Sequence, residues 1–509
     1  MAVQGVTMPA PYGGLDLVSP IDNMEAFYAL DLVNILPTSN APRLRNGYVE
    51  FQDTSNANPV GMLKAMPLLN GTTKLIATID TKIYAIDSGA VTDTGATISD
   101  SNCNSEIFNN KMFICNGADT VKVYDGVAGT VANSTFTGVT LADLINVSSY
   151  KNRLYFIEKD SASIWYGGVN AVGSSALTEE DLSYVMRNGG FLVFAGSITN
   201  QTAQTAQDLF VAVTSEGEVL AYSGDDPTNW VIVSRFYIGK PLGYKAFIRV
   251  NNDVWIITLQ GIVPLSALFQ STAEQAVETV SRRINPLISQ AAKALPFSAR
   301  WQGVFHPQGR RVYLQVPYSN IKTYLLVYSL DNGAWTKFVQ NDGGDCLSIT
   351  VADGSPYYGS HNGIIYEADQ GYSDAGNPIE WKIETSFSFY GSRGNYKTFK
   401  DIRPLVKTVP GIGFTVGLST DFRRRPATET VTTSATGTYT TWSVTGSTSG
   451  TTGFTPWGSK WSTDVVYVYD RFAVKGQGHS ASLVMQGNYE NKSLEMYGVE
   501  VRFDIGGQV

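Results

Sequence analysis

Residues 74–89 read KLIATIDTKIYAIDSG: a β-rich stretch, a tight polar turn, a second β-rich stretch, then a small or acidic close. Branched and aromatic residues on either side of a short polar break are the signature of a β-hairpin. The unit recurs as FNNKMFICNGADTVKVYDG (108–126), YKNRLYFIEKDSASIWYGG (150–168) and DLFVAVTSEGEVLAYSG (208–224). It returns again as NNDVWIITLQGIVPLS (251–266), GRRVYLQVPYSNIKTYLLVYSLDNG (309–333) and SPYYGSHNGIIYEADQG (355–371). With Tyr84, Tyr124, Tyr166, Tyr222, Val263, Tyr328 and Tyr366 as equivalent points, the spacings are 40, 42, 56, 41, 65 and 38 residues. Four of the six lie near the ~40–45 residues of one four-stranded propeller blade. The repeat is degenerate, without a tryptophan-aspartate or kelch motif. It predicts an all-β fold, a six- or seven-bladed β-propeller over residues 61–372.

The two long spacings hold insertions. In SSALTEEDLSYVMRNGG (174–190), Thr178 ahead of Glu179, Glu180 and Asp181 reads as a capped helix start, with Gly189-Gly190 as its stop. In STAEQAVETVSRRINPLISQAAKAL (271–295), Ala273, Ala276, Val277, Val280 and Ile284 share a helical face, and Pro286 kinks or splits the helix. That helical insertion either patches a propeller edge or meets another subunit.

Residues 1–60 stand outside the repeat and read as a separate N-terminal segment. Within it, residues 26–36 form a short helix or a strand that stops at Pro37. Near Gly371–Pro378 the pattern changes to longer alternating strands, which predicts a β-sandwich over residues 373–509. A Thr/Ser/Gly-rich loop interrupts it at residues 426–463, where 14 of 38 residues are Thr. Such a stretch buries little apolar area alone. Trp442, Trp457 and Trp461 within it favour ordering against a partner.

Charged residues are 16% of the chain and the net charge is −8, which argues against a protein that grips nucleic acid by its phosphates. The only dense basic run is Arg423-Arg424-Arg425, either a solvated turn or an anion or partner contact. Three cysteines without CxxC spacing (Cys103, Cys115 and Cys346) suggest a reducing compartment, a 103–115 bridge staying open. The opening MAVQGVTMPAPYGG lacks the basic start and apolar core of a secretory signal, and no apolar run reaches the ~20 residues of a membrane span.

Catalytic equipment is sparse. His306, His361 and His479 sit far apart in turn-like contexts, with no local partners for a triad or a metal. Propellers can hydrolyse glycosides with paired carboxylates; the candidates are Asp225, Asp226, Glu216, Glu218, Asp253 and Asp345. Most lie at turns, where Asp commonly binds its own backbone. Asp342-Gly343-Gly344-Asp345 lacks calcium-loop spacing and reads as a polar loop. No cofactor or metal is expected.

The layout resembles the tail hub or nozzle proteins of short-tailed bacteriophages, including the packaged-DNA stabilisation proteins. One segment carrying the likeness is LDLVNILPTSNAPRLRNGYVEF (30–51), where Asn34, Pro37, Arg45, Gly47 and Tyr48 follow the family's opening pattern with Asn46 interposed. The other is residues 379–421, similar to the strand–Lys–strand stretch behind the propeller in those proteins. The resemblance implies a virion structural protein made in the host bacterial cytoplasm, not an enzyme. It would form a homo-oligomeric ring, typically a hexamer, below the portal and its adaptor, with residues 1–60 for adaptor or inter-subunit contact and tail fibre, spike or needle proteins as further partners. Genomic DNA would pass through without sequence-specific binding, and the ring would help to retain or release it. The competing expectation is a carbohydrate-binding or carbohydrate-hydrolysing propeller in a receptor-binding tail component.

Overall fold

A computed structural model describes residues 3–39, 41–201, 206–270, 279–295, 297–298, 300–319, 321–341, 345–409, 413–427, 429–432, 466–468 and 471–508. The chain divides into two compact units, residues 46–377 and residues 1–45 with 378–509.

The larger unit is a seven-bladed β-propeller. Blade 1 pairs Val60–Pro67, Thr73–Ile79, Lys82–Ile86 and Val91–Thr97 in sequence order; blade 2 pairs Asn104–Phe108, Lys111–Cys115, Lys122–Asp125 and Thr130–Asn133. Blade 3 is Leu144–Tyr150, Arg153–Glu158, Ser163–Tyr166 and Thr178–Asp181, and blade 4 is Leu192–Gln201, Ala206–Thr214, Glu218–Ser223 and Val231–Tyr237. Blade 5 has three strands (Phe247–Val250, Asp253–Thr258, Gly261–Pro264) and runs directly into a helix, Leu265–Gln270. Blade 6 is Gln302–His306, Arg311–Pro317, Thr323–Ser329 and Ala334–Phe338. Blade 7 is Ser348–Ala352, Ser355–Gly359 and Ile364–Ala368, with Tyr48–Asp53 as its outer strand. Successive blades pack side by side, and blade 7 packs back on blade 1.

All seven equivalent points of the repeat fall on the third strand of their blades. The hairpin legible in the sequence is thus strands two and three, which are covered on both faces by neighbouring blades. Thr73–Ile79 and Lys82–Ile86, for instance, bury nearly every residue. Two-sided burial yields continuous apolar runs rather than alternation.

Three expectations change. Residues 178–181 form no helix: they are the outer strand of blade 3, in register with Ser163–Tyr166. The sheet edge gives their backbone partners that a helix start would otherwise supply, and acidic side chains guard an exposed edge. Pro286 splits no helix among the described residues. It sits in the first turn of helix Asn285–Ala294, where its missing N–H costs nothing. Ile288, Ala291 and Ala292 are that helix's buried face, and residues 271–278 lie outside the described residues.

Nor do residues 1–60 form one segment. Residues 46–60 belong to the propeller, which Tyr48–Asp53 closes by pairing with Ile364–Ala368. Residues 3–45 join the C-terminal unit, a β-sandwich. In one of its sheets Leu494–Gln508 pairs with Val3–Pro9, Arg43–Leu44 and Asn395–Thr408. In the other, Ala29–Val33, Ile379–Thr385, Ala481–Tyr489, Gly413–Thr420 and Glu429–Thr432 run side by side. Alternate residues of Asn395–Thr408 are buried, the pattern of a strand with one face on a core. Pairing over several hundred residues of separation leaves no local trace in the sequence.

The residues that carry the resemblance have structural posts. Asn34, at φ 56°, breaks the run between strands Ala29–Val33 and Ile35–Leu36, and its side chain accepts from Arg45 Nε at 2.9 Å. Gly47 lies so close to Ser373 that a Cβ would stand 1.8 Å from its carbonyl oxygen. Tyr48 packs edge-on against Tyr358 and Tyr366.

Candidate functional site

The carboxylates nominated from sequence are spent on structure. Asp226 caps the short turn Pro227–Asn229, accepting from Thr228, and pairs with Arg153 at 3.1 Å. The Thr228 hydroxyl and then the Arg153 charge hold its carboxyl below the usual range. Asp225 is exposed beside it. Glu218 is fully buried, pairs with Arg235 at 2.7 Å and accepts from the Arg187 and Asn188 N–H groups. Glu216 meets Lys240 at the surface. Asp253 accepts from Ser266, Val254 and Trp255; burial raises its carboxyl, and those hydrogen bonds oppose the rise. Asp345 lies 3.9 Å from His361. His306 instead shares a hydrogen bond with the Gly354 carbonyl, and His479 packs on Tyr396. The three histidines do not converge. Among the described residues no group of three His, Cys, Asp or Glu is placed to hold a metal, and residues 342–344 lie outside them. All three cysteines are buried thiols, so 103 and 115 form no bridge.

Of the nominated contacts, Trp442, Trp457 and Trp461 lie outside the described residues. Arg424 is committed within its own unit, donating to both oxygens of buried Glu384 at 2.7 and 2.6 Å. Lys382 also reaches Glu384, at 3.4 Å. Arg423 and Arg425 are exposed.

What sequence reasoning missed is the propeller axis. Glu106 of blade 2 and Arg249 of blade 5 pair at 3.7 Å. These blades are not neighbours in a seven-membered ring, so the contact spans the central channel. Ser149 of blade 3 donates to Glu106 at 2.8 Å. Lys64 of blade 1 shares this environment: burial lowers its ammonium pKa, Glu106 opposes that, and Arg249 adds to it. Nearer the start of the inner strands, Lys245 donates to the Gly61 carbonyl at 2.9 Å and Arg300 reaches the Val60 carbonyl at 3.5 Å. Burial brings Lys245 down to about 8. A cavity of about 440 Å³ opens onto this axis, lined by Ser149, Ser197, Asn152, Arg249, Asn251 and Asn252 among others. The available signal was a charge inside an apolar strand, as in VGMLKAM (60–66) and FIRV (247–250).

A second feature lies at the rim. The outer strand of blade 4, VIVSRFY (231–237), exposes Val231, Ile232, Val233 and Tyr237. By contrast, the outer strand of blade 3 is TEED and that of blade 1 is VTDTGAT. Natural sheets guard their edges with charge, bulges or short length, because an open apolar edge recruits another strand.

No family model matches this chain, and no curated protein matches it. Solved structures similar to it include the following two. The computationally designed Ika8 protein is 9% identical over 64% of this chain and 99% of its own, with a TM-score of 0.36. The extracellular domain of a hybrid two-component system from B. thetaiotaomicron is 11% identical over 64% of this chain and 45% of its own, with a TM-score of 0.42.

Proposed function

We propose that this chain is a structural, non-enzymatic subunit of a short bacteriophage tail. It forms a homo-oligomeric hub or nozzle ring beneath the portal and adaptor, continues the DNA exit channel and helps to retain or release packaged DNA. The observation that carries an assembly role is the exposed apolar surface of blade 4's outer strand (Val231, Ile232, Val233 and Tyr237), which fits strand addition from a second copy of the chain. Cyclic closure of such head-to-tail contacts gives a ring. The resemblance of residues 30–51 and 379–421 supplies the tail context. The acids nominated for glycoside hydrolysis each have a structural partner or stand alone at the surface, which supports a role without turnover. Because side chains from blades 1, 2 and 5 meet across the propeller axis, DNA in this reading runs through the lumen of the ring. A net charge of −8 suits sliding rather than gripping.

The test is electron microscopy of the purified chain mixed with portal–adaptor complexes, alongside its mass in solution. A ring docked coaxially under the adaptor is expected, and Ile232→Lys should leave folded monomers. Wild-type monomers beside undecorated adaptors would overturn the reading. Polysaccharide hydrolysis lost in Asp226→Asn would replace it with the carbohydrate-active alternative.

A further inference from the structure

The cavity at the propeller axis is framed by consecutive blades. Its lining includes Ile107, Ser149, Ser197 and Arg249, one from the first strand of each of blades 2, 3, 4 and 5. The rest of its rim comes largely from the turns that follow those strands in blades 2, 3 and 5: Asn109-Asn110, Lys151-Asn152 and Asn251-Asn252. Asn109, Asn110, Lys151, Asn152 and Asn251 hold positive φ between 45° and 59°. Asparagine tolerates that conformation, so tight hairpin turns alone explain its choice. The turns leave the carboxamides at the surface, however. Asn109, Asn152, Asn251 and Asn252 are all exposed and all line the cavity, and Asn109 alone leans on a neighbouring turn, at 3.5 Å from the Asn170 carbonyl.

The charged side chains of the lining are balanced and already engaged. Lys151 meets Asp208 at 3.5 Å, and Thr199 donates to the same carboxylate at 2.8 Å. Arg249 meets Glu106 at 3.7 Å, and Asp253 accepts from Ser266, Val254 and Trp255. Two cations beside two carboxylates give neither an anion nor a cation a net hold. What remains is a close set of neutral groups, since each carboxamide and each hydroxyl both donates and accepts. Ile107, Ile198 and Val254 add apolar surface between them. At about 440 Å³ the cavity falls within the ~300–1,000 Å³ of small-molecule sites. The matching ligand is uncharged, dense in hydroxyls that donate and accept together, and carries apolar C–H faces. A sugar ring has all three properties.

We propose that the axial cavity of the propeller binds an uncharged saccharide, whose hydroxyls are met by Asn152, Asn251, Asn252 and Ser197. The inference rests on the propeller unit alone and stands or falls apart from the tail reading. The site binds without hydrolysing, because Asp208 and Asp253, the carboxylates in its lining, are both engaged by protein donors.

The experiment is a ligand-observed NMR titration of the full chain with the methyl glycosides of glucose, galactose, rhamnose and N-acetylglucosamine, with inorganic phosphate as the charged control. At least one glycoside should bind, with the same affinity at low and high salt because no net charge is recognised. Asn252→Ala, at an exposed turn, and Ser197→Val, in the wall, should each weaken binding about two- to tenfold, the range for losing a neutral hydrogen bond. Unchanged melting temperatures in both variants would separate that loss from damage to the fold. No glycoside bound at tens of millimolar would overturn the proposal. So would binding that both substitutions leave unchanged, or phosphate bound more tightly than every glycoside.

Discussion

Two buried lysines, one in each unit, are accommodated in opposite ways. In the sandwich, Lys397 is fully buried and its ammonium donates to three backbone carbonyls, those of Ser392, Asn395 and His479, at 2.5, 3.0 and 2.9 Å. In the propeller, Lys245 donates to a single carbonyl, that of Gly61, at 2.9 Å. The surrounding charges follow the same division. On the sandwich, Asp401 pairs with Arg471 and Arg502, Glu500 with Arg403 and Arg471, and Lys407 with Glu495. Several of these pairs join Asn395–Thr408 to Leu494–Gln508 and so reinforce their register. The lesson is that a satisfied buried charge is part of the scaffold, whereas an unsatisfied one marks a place where the scaffold stops short of completing itself.

The contrast breaks first at Lys397. Lys397→Met strands three buried carbonyls and should cost about 3–5 kcal/mol in chemical denaturation, the range for removing one partner of a buried ionic cluster. A loss below about 1 kcal/mol would show that water replaces the ammonium.

Lys245 should behave differently and with pH. Its folded pKa of about 8 lies below the ordinary 10.5, so between these values the unfolded chain binds more protons than the folded one. Stability contributed by this group therefore rises with pH across that window, by ~3 kcal/mol in all. The three buried thiols, pushed up by burial, work against that rise. The clean readout is thus the difference from Lys245→Met. That variant should hold its greatest relative advantage below pH 8 and lose it by pH 10.5. A difference that stays constant with pH would mean that the ammonium is fully solvated.

The smallest effect belongs to the paired surface. Hydrogen bonding from Arg502, then Arg471, keeps the Asp401 carboxyl below its usual range. Its contribution is present above pH 3.8 and is lost as pH falls through the depressed folded value. Asp401→Asn should cost at most about 1 kcal/mol at neutral pH, less in high salt, and nothing in strong acid. A larger, salt-insensitive cost would place this network among the buried ones.

Legibility followed burial. Second and third blade strands are enclosed on both faces, so Tyr84, Tyr124 and Tyr366 mark their blades in plain sequence. Outer strands are half exposed and irregular, so TEED at 178–181 reads as a helix start. The axial charges were hidden for another reason: Lys64, Arg249 and Arg300 each look like a solvated residue until the blades are set in a ring.

By itself the sequence determined the all-β class, the hairpin repeat and the change of pattern near residue 371, because hydrophobic period and turn chemistry are local. Tertiary structure alone decided that Tyr48–Asp53 closes the propeller and that both chain ends build the sandwich. It also decided that Lys64 and Arg249, from blades 1 and 5, meet Glu106 of blade 2. Those facts rest on contacts between residues far apart in the chain, which no local pattern of side chains records.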